Sequence, residues 1–513
     1  MLRQYAYAFT IFVSSACGLI IEIVAGRLIA PYVGMSLYTW TAIIAVVLAG
    51  LSVGHWIGGR LAATHVDGAI GGRRVAIALF LAAVSSLASL VLLRIVSTLL
   101  LTSGLSPIPS IVLLTSALFL LPSLFVGIVS PILTKLAVDA DPRGHGPVIG
   151  RMYALGTLGS IAGTLSAGYL FISWIGSTGT VVAVAAVYAV LGTGFILSDK
   201  LRALFVVLLV AAGAAVGWSG RQVQAFTSPC QLESNYFCIR IADYAGESDR
   251  PSALMALDHL VHSINDRDDP GLLYSPYIHA IDELSKLRFE ARPRDFSPRA
   301  FFIGGGGYSL PRAWASDYAD PDLIVAEIDP QVTRAAAENL WLDVTAPGLS
   351  IRHRDARALL QSLPEDEPFD LIFGDAFRDI SIPPHLVTRE FHREIAKRLT
   401  EGGMYAVNVV DSGSKPLFLF SLIRTLKQDF AVVETWVEQG ETGNPGRVTF
   451  IVLASDAPTP IANLNALRGP RRTWRRLSSA RLDKGIAASG VPLLTDDFAP
   501  VDRLMSRLLL QPD

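Results

Sequence analysis

The chain has 513 residues, 51% of them hydrophobic and 17% charged, with a formal net charge of −2. That length exceeds one ordinary domain, and neither half carries the basic stripe of a nucleic-acid binder, so no nucleic-acid partner is expected. Residues 1–220 hold 11 Lys/Arg and 5 Asp/Glu while the other 293 residues hold 32 and 40, so only the second part has the charge content of a soluble globular domain.

Seven apolar runs fill the first part: Tyr5–Ala30, Leu37–Gly58, Val75–Leu101, Ile108–Leu133, Val148–Trp174, Val181–Leu197 and Leu201–Trp218. Each is about 17–27 residues long, against the ~20 that cross ~30 Å of hydrocarbon as a helix. The first run is longer than a signal-peptide core and lacks a clear cleavage site, so it reads as a retained helix. Between runs, Arg60, Arg73 and Arg74, then Lys135, Arg143 and Arg151, then Lys200 and Arg202 fall on alternate loops. The loops at 31–36, 102–107 and 175–180 have no Lys or Arg. Positive-inside logic puts the N-terminus in the cytoplasm, and seven crossings then put the C-terminal part outside. The expectation is an integral, multi-pass membrane protein with an extracytoplasmic soluble part and the lipid bilayer as its partner.

Cys230 and Cys238 follow the last run, eight residues apart, whereas Cys17 lies within the first. An exported location would allow the pair to close a disulfide, while two ordinary buried thiols are the plain alternative. Within the runs, Glu22, Arg27, His55 and Arg94 are costly at membrane depth and are expected to face a partner or a watery space. Glu22 admits two readings, an ion pair with an arginine or a place in a cation or proton path. The run Gly156–Gly168 reads as close helix packing through small residues.

From about Arg221 to residue 290 the pattern is short and β-rich, suggesting a small sheet subdomain. From 291 to the end, apolar strand-like runs alternate with helical patterns: AFFIG, LIVAEID, LSIRH, FDLIFGDAF, MYAVNVVD. This βα alternation predicts a Rossmann-like, methyltransferase-type α/β domain, doubly wound and mostly parallel, with its site at the carboxyl ends of the strands. Gly304, Gly305, Gly306 and Gly307 close its first strand, where small residues let backbone approach a ligand. Glu327 ends the second strand, where a carboxylate can accept from ribose hydroxyls; Asp355 follows the third, with Ala356 beside it, facing an adenine amino group. Asp375 follows the fourth, at the reacting end. No zinc pattern, P-loop or Ser-His-Asp motif stands out, and neither a metal nor a tightly bound cofactor is expected.

These residues resemble the spermidine synthases (polyamine aminopropyltransferases) over about 228–429, and the whole chain is similar to membrane proteins described as fused transporter/spermidine synthases. The resemblance aligns Glu233-Ser234-Asn235-Tyr236-Phe237 with an ESPYQ-like run and Leu257-Asp258-His259-Leu260-Val261-His262 with LDG-x-x-Q. It places Glu327, Asp355 and Asp375 on the family's nucleoside and reacting-end acids. It implies decarboxylated S-adenosylmethionine as co-substrate, a polyamine bound by Tyr236, Asp258, His262 and Tyr274, an adenosyl thioether product, and a homodimer. The departures concentrate at the amine end. The family's GGGDGG aspartate is Gly307 here, two glutamines become Phe237 and His262, and Ser275-Pro276 follow Tyr274 where the family has His-Glu. The catalytic aspartate position is Arg378, with Asp379 one step further. Asp375 and Asp379 are therefore the candidate bases. Asp496 and Asp497, in LTDDFAP, either fold back onto the site or cap a surface turn. Two functional expectations follow: a membrane-bound aminopropyltransferase, or a non-catalytic or transport-linked protein that binds a polyamine or adenosyl thioether. A methyltransferase is a more distant third.

Overall fold

The computed structural model describes residues 2–63, 68–140, 144–197, 199–290, 292–293, 295–377, 381–465, 468 and 470–510. The chain forms two compact units, residues 1–238 and 239–513.

The first unit consists of helices α1 (Leu2–Val33), α2 (Leu37–Ala63), α3 (Gly68–Leu101), α4 (Pro107–Asp139), α5 (His145–Ser166), α6 (Ile172–Ile196) and α7 (Arg202–Gln222), with a π-helical turn at Ala167–Phe171. Among the described residues, six helical runs are long and apolar enough to cross a membrane, where the sequence suggested seven. The difference lies at 145–196. There α5, the π-turn and α6 continue as one 52-residue run through the expected loop at 175–180. Gly176, at φ 70° and ψ 172°, redirects that run in a single residue. A positive φ of this kind is open to glycine at little cost.

Packing shows which way each half runs. A Cβ on Gly159 would lie 2.1 Å from the Phe12 carbonyl oxygen, and one on Gly163 would lie 2.2 Å from that of Ala16, so α5 runs parallel to α1. Arg94 donates to the Tyr32 hydroxyl at 2.7 Å near the far end of both helices, and Gly68 neighbours Arg3 near their start, so α3 is parallel to α1 as well. Gly192 packs on Ala76 and Phe80 while Gly72 faces Phe195, which makes α6 antiparallel to α3. The 52-residue run therefore doubles back at Gly176. Small residues permit these close backbone contacts.

Beyond α7, the segment to Cys238 packs with the helices. Arg27 donates to the carbonyls of Ser234 and Tyr236 at 2.7 and 2.6 Å, and Arg94 to that of Thr227 at 2.6 Å. Arg27 is thus directed at backbone, and Arg94 at backbone and the Tyr32 hydroxyl, rather than at Glu22, which is half-buried. Glu233, in the two-residue strand β1 (Leu232–Glu233), accepts from the Ser177 amide at 2.9 Å and the Ser228 hydroxyl at 2.8 Å. A Cys230–Cys238 disulfide closes the segment, and Cys17 is free and buried.

In the second unit, β2 (Cys238–Asp243), β3 (Ser252–Leu257) and β4 (Leu260–Asp266) pair antiparallel, with a short helix α8 (Ala245–Ser248) between the first two. Helix α9 (Pro276–Phe289) then leads into the large sheet. Its strands are β5 (Arg299–Ile303), β6 (Asp322–Ala326), β7 (Leu349–Arg352), β8 (Phe369–Gly374), β9 (Leu399–Ser412), β10 (Val432–Glu438), β11 (Arg447–Ser455), β12 (Asn463–Asn465) and β13 (Thr473–Arg476). The spatial order is β12-β13-β10-β11-β9-β8-β5-β6-β7. The five strands from β9 to β7 are parallel, and the four beyond β9 are antiparallel, so the sheet is mixed where the sequence suggested mostly parallel. The parallel strands are crossed over by helices α10 (Ser309–Asp317), α11 (Pro330–Asn339), α12 (Ala356–Ser362) and α13 (Arg389–Lys397), as parallel pairing requires. Their apolar runs are buried on both faces: Ala300–Ile303, Leu323–Ala326 and the whole of β8. Trp314 of α10 is fully buried and donates its indole N–H to Asp282 of α9 at 2.8 Å.

Candidate active site

Strand order reverses between β5 and β8, which is where an open α/β sheet leaves a crevice at its carboxyl edge. The register fixes what stands there. Ile303 pairs with both Ala326 and Gly374, and Gly374 with Val407. The next residue on each strand is Gly304, Glu327, Asp375 and Asn408, so these four come level at one edge. Gly304 has φ 96°, and a Cβ there would lie 2.7 Å from the Asp375 carbonyl oxygen, so the loop needs glycine on both counts.

Glu327 is buried, and its Oε2 accepts from the amides of Gly305 at 2.9 Å and Gly306 at 3.3 Å, with Oε1 accepting from Asp329 at 2.9 Å. Burial raises its pKa above the usual carboxylate value, and the three amides oppose the rise. Asp355 is more exposed. Its Oδ1 caps α12 through the Ala358 amide at 2.9 Å, and Oδ2 lies 2.8 Å from His385 Nε2. Burial alone would raise its pKa, but the Ala358 amide and His385 outweigh it and lower it. Ala356, buried, opens that helix.

Asp375 is held from two sides. Tyr277 of α9 donates its hydroxyl to Oδ2 at 3.0 Å, and Asn408 of β9 donates Nδ2 to Oδ1 at 2.9 Å. Burial nevertheless pushes the carboxyl up to about 7, with the two donors pulling the other way. Asn408 is only 4% exposed, and its buried Oδ1 has no hydrogen-bond partner among the described residues. A carboxyl that titrates near neutrality, beside an unpartnered acceptor, can take a proton from an amine and hold the amine while it does so. Tyr277 and Asn408 were absent from the sequence expectation. Asn408 had a signal, a lone amide in the apolar run MYAVNVVD, whereas Tyr277 is brought to the site only by packing.

The loop around Gly307 departs from the pattern of the family the sequence resembles. A Cβ on Gly307 would lie 2.3 Å from the Ser263 Cβ, and the Ser263 hydroxyl accepts from the Gly307 amide at 2.7 Å. Serine thus fills the space where the resemblance has an aspartate side chain. Asn265 ties the same loop to β4 by donating to the Gly307 carbonyl at 2.7 Å and accepting from Ser309 at 2.6 Å. Asp258 sits at the β3–β4 turn with φ 52°, 4% exposed, its carbonyl accepting from Arg240 at 2.6 Å. His262 is held neutral: burial, then the charge of Arg447, lower its pKa to about 4.

The remaining expected residues fall elsewhere. The Tyr274 hydroxyl donates to Asp266 at 3.3 Å, in a buried hub with Arg250. Tyr236 belongs to the first unit, exposed, its carbonyl held by Arg27. Asp379 and Arg378 lie outside the described residues. Asp496 does fold back. It forms a two-point ion pair with Arg357 at 2.7 Å per contact and accepts from Thr388 at 2.7 Å, while Thr495 and Phe498 close the turn. Arg357 is two residues from Asp355, so this anchor supports the Asp355 side of the crevice.

The fold and crevice define a Rossmann-like α/β domain. No family model matches the chain. In sequence it is 31% identical over 137 residues, 26% of the chain, to a polyamine aminopropyltransferase of Vibrio vulnificus. It is 29% identical over 115 residues, 22% of the chain, to a "probable polyamine aminopropyl transferase" of Bifidobacterium longum. The matches span 44% and 25% of those relatives, less than half in both. Among solved structures, a probable spermidine synthase from Corynebacterium glutamicum is 21% identical, covering 54% of this chain and 99% of its own at a TM-score of 0.46. The spermidine synthase of Thermotoga maritima is 20% identical, covering 41% of this chain and 66% of its own at a TM-score of 0.30.

Proposed function

We propose that the second unit binds an adenosyl thioether and a polyamine, and transfers an aminopropyl group from decarboxylated S-adenosylmethionine to the amine. The observation that carries this reading is Asp375, hydrogen-bonded by Tyr277 and Asn408 and titrating near 7, level with Gly304 and Glu327 at the crevice. In the reaction the amine nitrogen attacks the carbon next to the sulfonium, and the carbon–sulfur bond breaks. The electron pair goes to sulfur, leaving neutral methylthioadenosine, and the surplus ammonium proton passes to Asp375. Glu327 holds the ribose hydroxyls and Asp355 faces the adenine, so positioning supplies most of the rate. Sequence likeness to polyamine aminopropyltransferases supports the choice of substrate class.

The second reading, a binder without turnover, is favoured by one feature: Ser263 fills the space a donor-gripping carboxylate at position 307 would need. Titration calorimetry with methylthioadenosine, run beside product detection with decarboxylated S-adenosylmethionine and putrescine, separates the two. Binding with turnover supports the transferase, binding without turnover supports the capture protein, and no binding overturns both. In the membrane part, the doubling back at Gly176 supports seven crossings. With charged loops inside, the soluble unit then faces away from the cytoplasm, where a Cys230–Cys238 disulfide persists.

A further inference from the structure

The helical unit holds a partly open cavity of about 130 Å³, with room for several water molecules. The hydroxyls of Ser15, Ser123, Ser130, Ser160 and Tyr188, and the His55 ring, line it. Ser123 is 7% and Tyr188 1% exposed, yet neither hydroxyl has a hydrogen-bond partner among the described residues. A buried polar group left unpaired is unfavourable by roughly 1–3 kcal/mol, so these two buried hydroxyls, with the half-buried Ser15, Ser130 and Ser160 beside them, point to a polar occupant. Ser14, beside them, is satisfied internally by the Ile11 carbonyl, which marks the others as exceptions rather than the habit of the helix.

The lining also says which occupant. Pro122 and Pro131 within α4 have no N–H to give to the carbonyls one turn earlier, and Gly127, one of those positions, lines the cavity. Hydroxyl oxygens and a carbonyl are acceptors, no Lys or Arg lines the space, and the Tyr188 ring can face a cation. Glu22 lies one helical turn beyond Gly18 on the same stripe of α1, outside the residues that line the cavity. Leu19, Leu51 and Val126 make the rest of the wall apolar, which suits a short alkyl chain better than a fully hydrated ion. We propose that this cavity binds a small primary alkylammonium ion, its N–H groups donating to the unpartnered hydroxyls.

The test uses the full chain in lipid nanodiscs, carrying Asp375→Asn and saturated with methylthioadenosine so that the soluble crevice is occupied. Titration calorimetry with n-butylammonium chloride is compared with n-butanol. The expected result is saturable ammonium binding at least about tenfold tighter than the alcohol, which is ~1.4 kcal/mol. Ser123→Leu, which fills the cavity, should weaken it by about tenfold or more, and Tyr188→Phe by several-fold. Tyr188→Phe and Ser130→Ala decide the matter if Ser123→Leu does not fold. Absence of saturable binding, equal affinity for butanol, or binding untouched by these substitutions would each overturn the proposal and leave the cavity to water.

Discussion

At the scale of single residues, Asp375 carries the clearest pH signature. Its folded pKa of about 7 is raised above its ordinary 3.8, so the fold favours the protonated form. The associated stability is therefore full below about 4 and is lost as pH rises through 7. Asp375→Asn should match the parent's melting temperature near pH 4 and exceed it near pH 8; an equal offset at both would show that the carboxyl is not buried as described. For catalysis the sign reverses, because the base must be ionised. Turnover should rise with pH around an apparent pKa near 7 and vanish in Asp375→Asn, while methylthioadenosine binding changes little. Glu327→Ala removes the ribose acceptor and should weaken nucleoside binding by roughly ten- to a hundredfold, as loss of a charge-assisted hydrogen bond of about 1.5–3 kcal/mol requires. Unchanged calorimetric affinity would remove Glu327 from the site.

Between elements, the contact of β4 with the glycine loop decides how the donor can be held. Ser263 and a side chain at 307 compete for one space, with 2.3 Å between their Cβ positions. Gly307→Asp alone should lower the melting temperature and abolish nucleoside binding by displacing the loop. Paired with Ser263→Gly, the aspartate gains room, and kcat/KM for decarboxylated S-adenosylmethionine should rise above the parent's. A double variant no better than the single one would show that another group grips the donor. The hub around Asp266 is a second inter-element joint. Arg250, first among its partners, holds that buried carboxylate down to about 2, so the stability it confers is present above pH 4 and lost as pH falls toward 2. Arg250→Ala leaves a buried carboxylate with fewer donors and should lower the denaturant midpoint at pH 7, an effect that fades as pH falls toward 2.

For the whole molecule, topology is the main prediction. With the soluble unit outside, a single cysteine introduced at exposed Val261 should react with a membrane-impermeant maleimide in intact cells. Cys230 and Cys238 should resist alkylation until reductant is added. Labelling at Val261 only after permeabilisation would reverse the orientation, and free alkylation of both native thiols would remove the disulfide.

The sequence by itself determined what depends on local order. Apolar run length marks the long helices of the first unit, and alternation of strand and helix marks the α/β part. The adjacency of Glu327, Asp355 and Asp375 to strand ends places them at the carboxyl edge without any tertiary information. Tertiary structure decided what depends on which distant residues share a space. Tyr277 and Asn408 reach Asp375 from α9 and β9. Asp496 crosses to Arg357. Ser263 occupies the niche beside Gly307. At 175–180 hydropathy already places a break, and the packing of α5 on α1 and α6 on α3 shows that one glycine makes the turn there. Periodicity reports what a segment buries, whereas the partner that buries it is fixed by the fold.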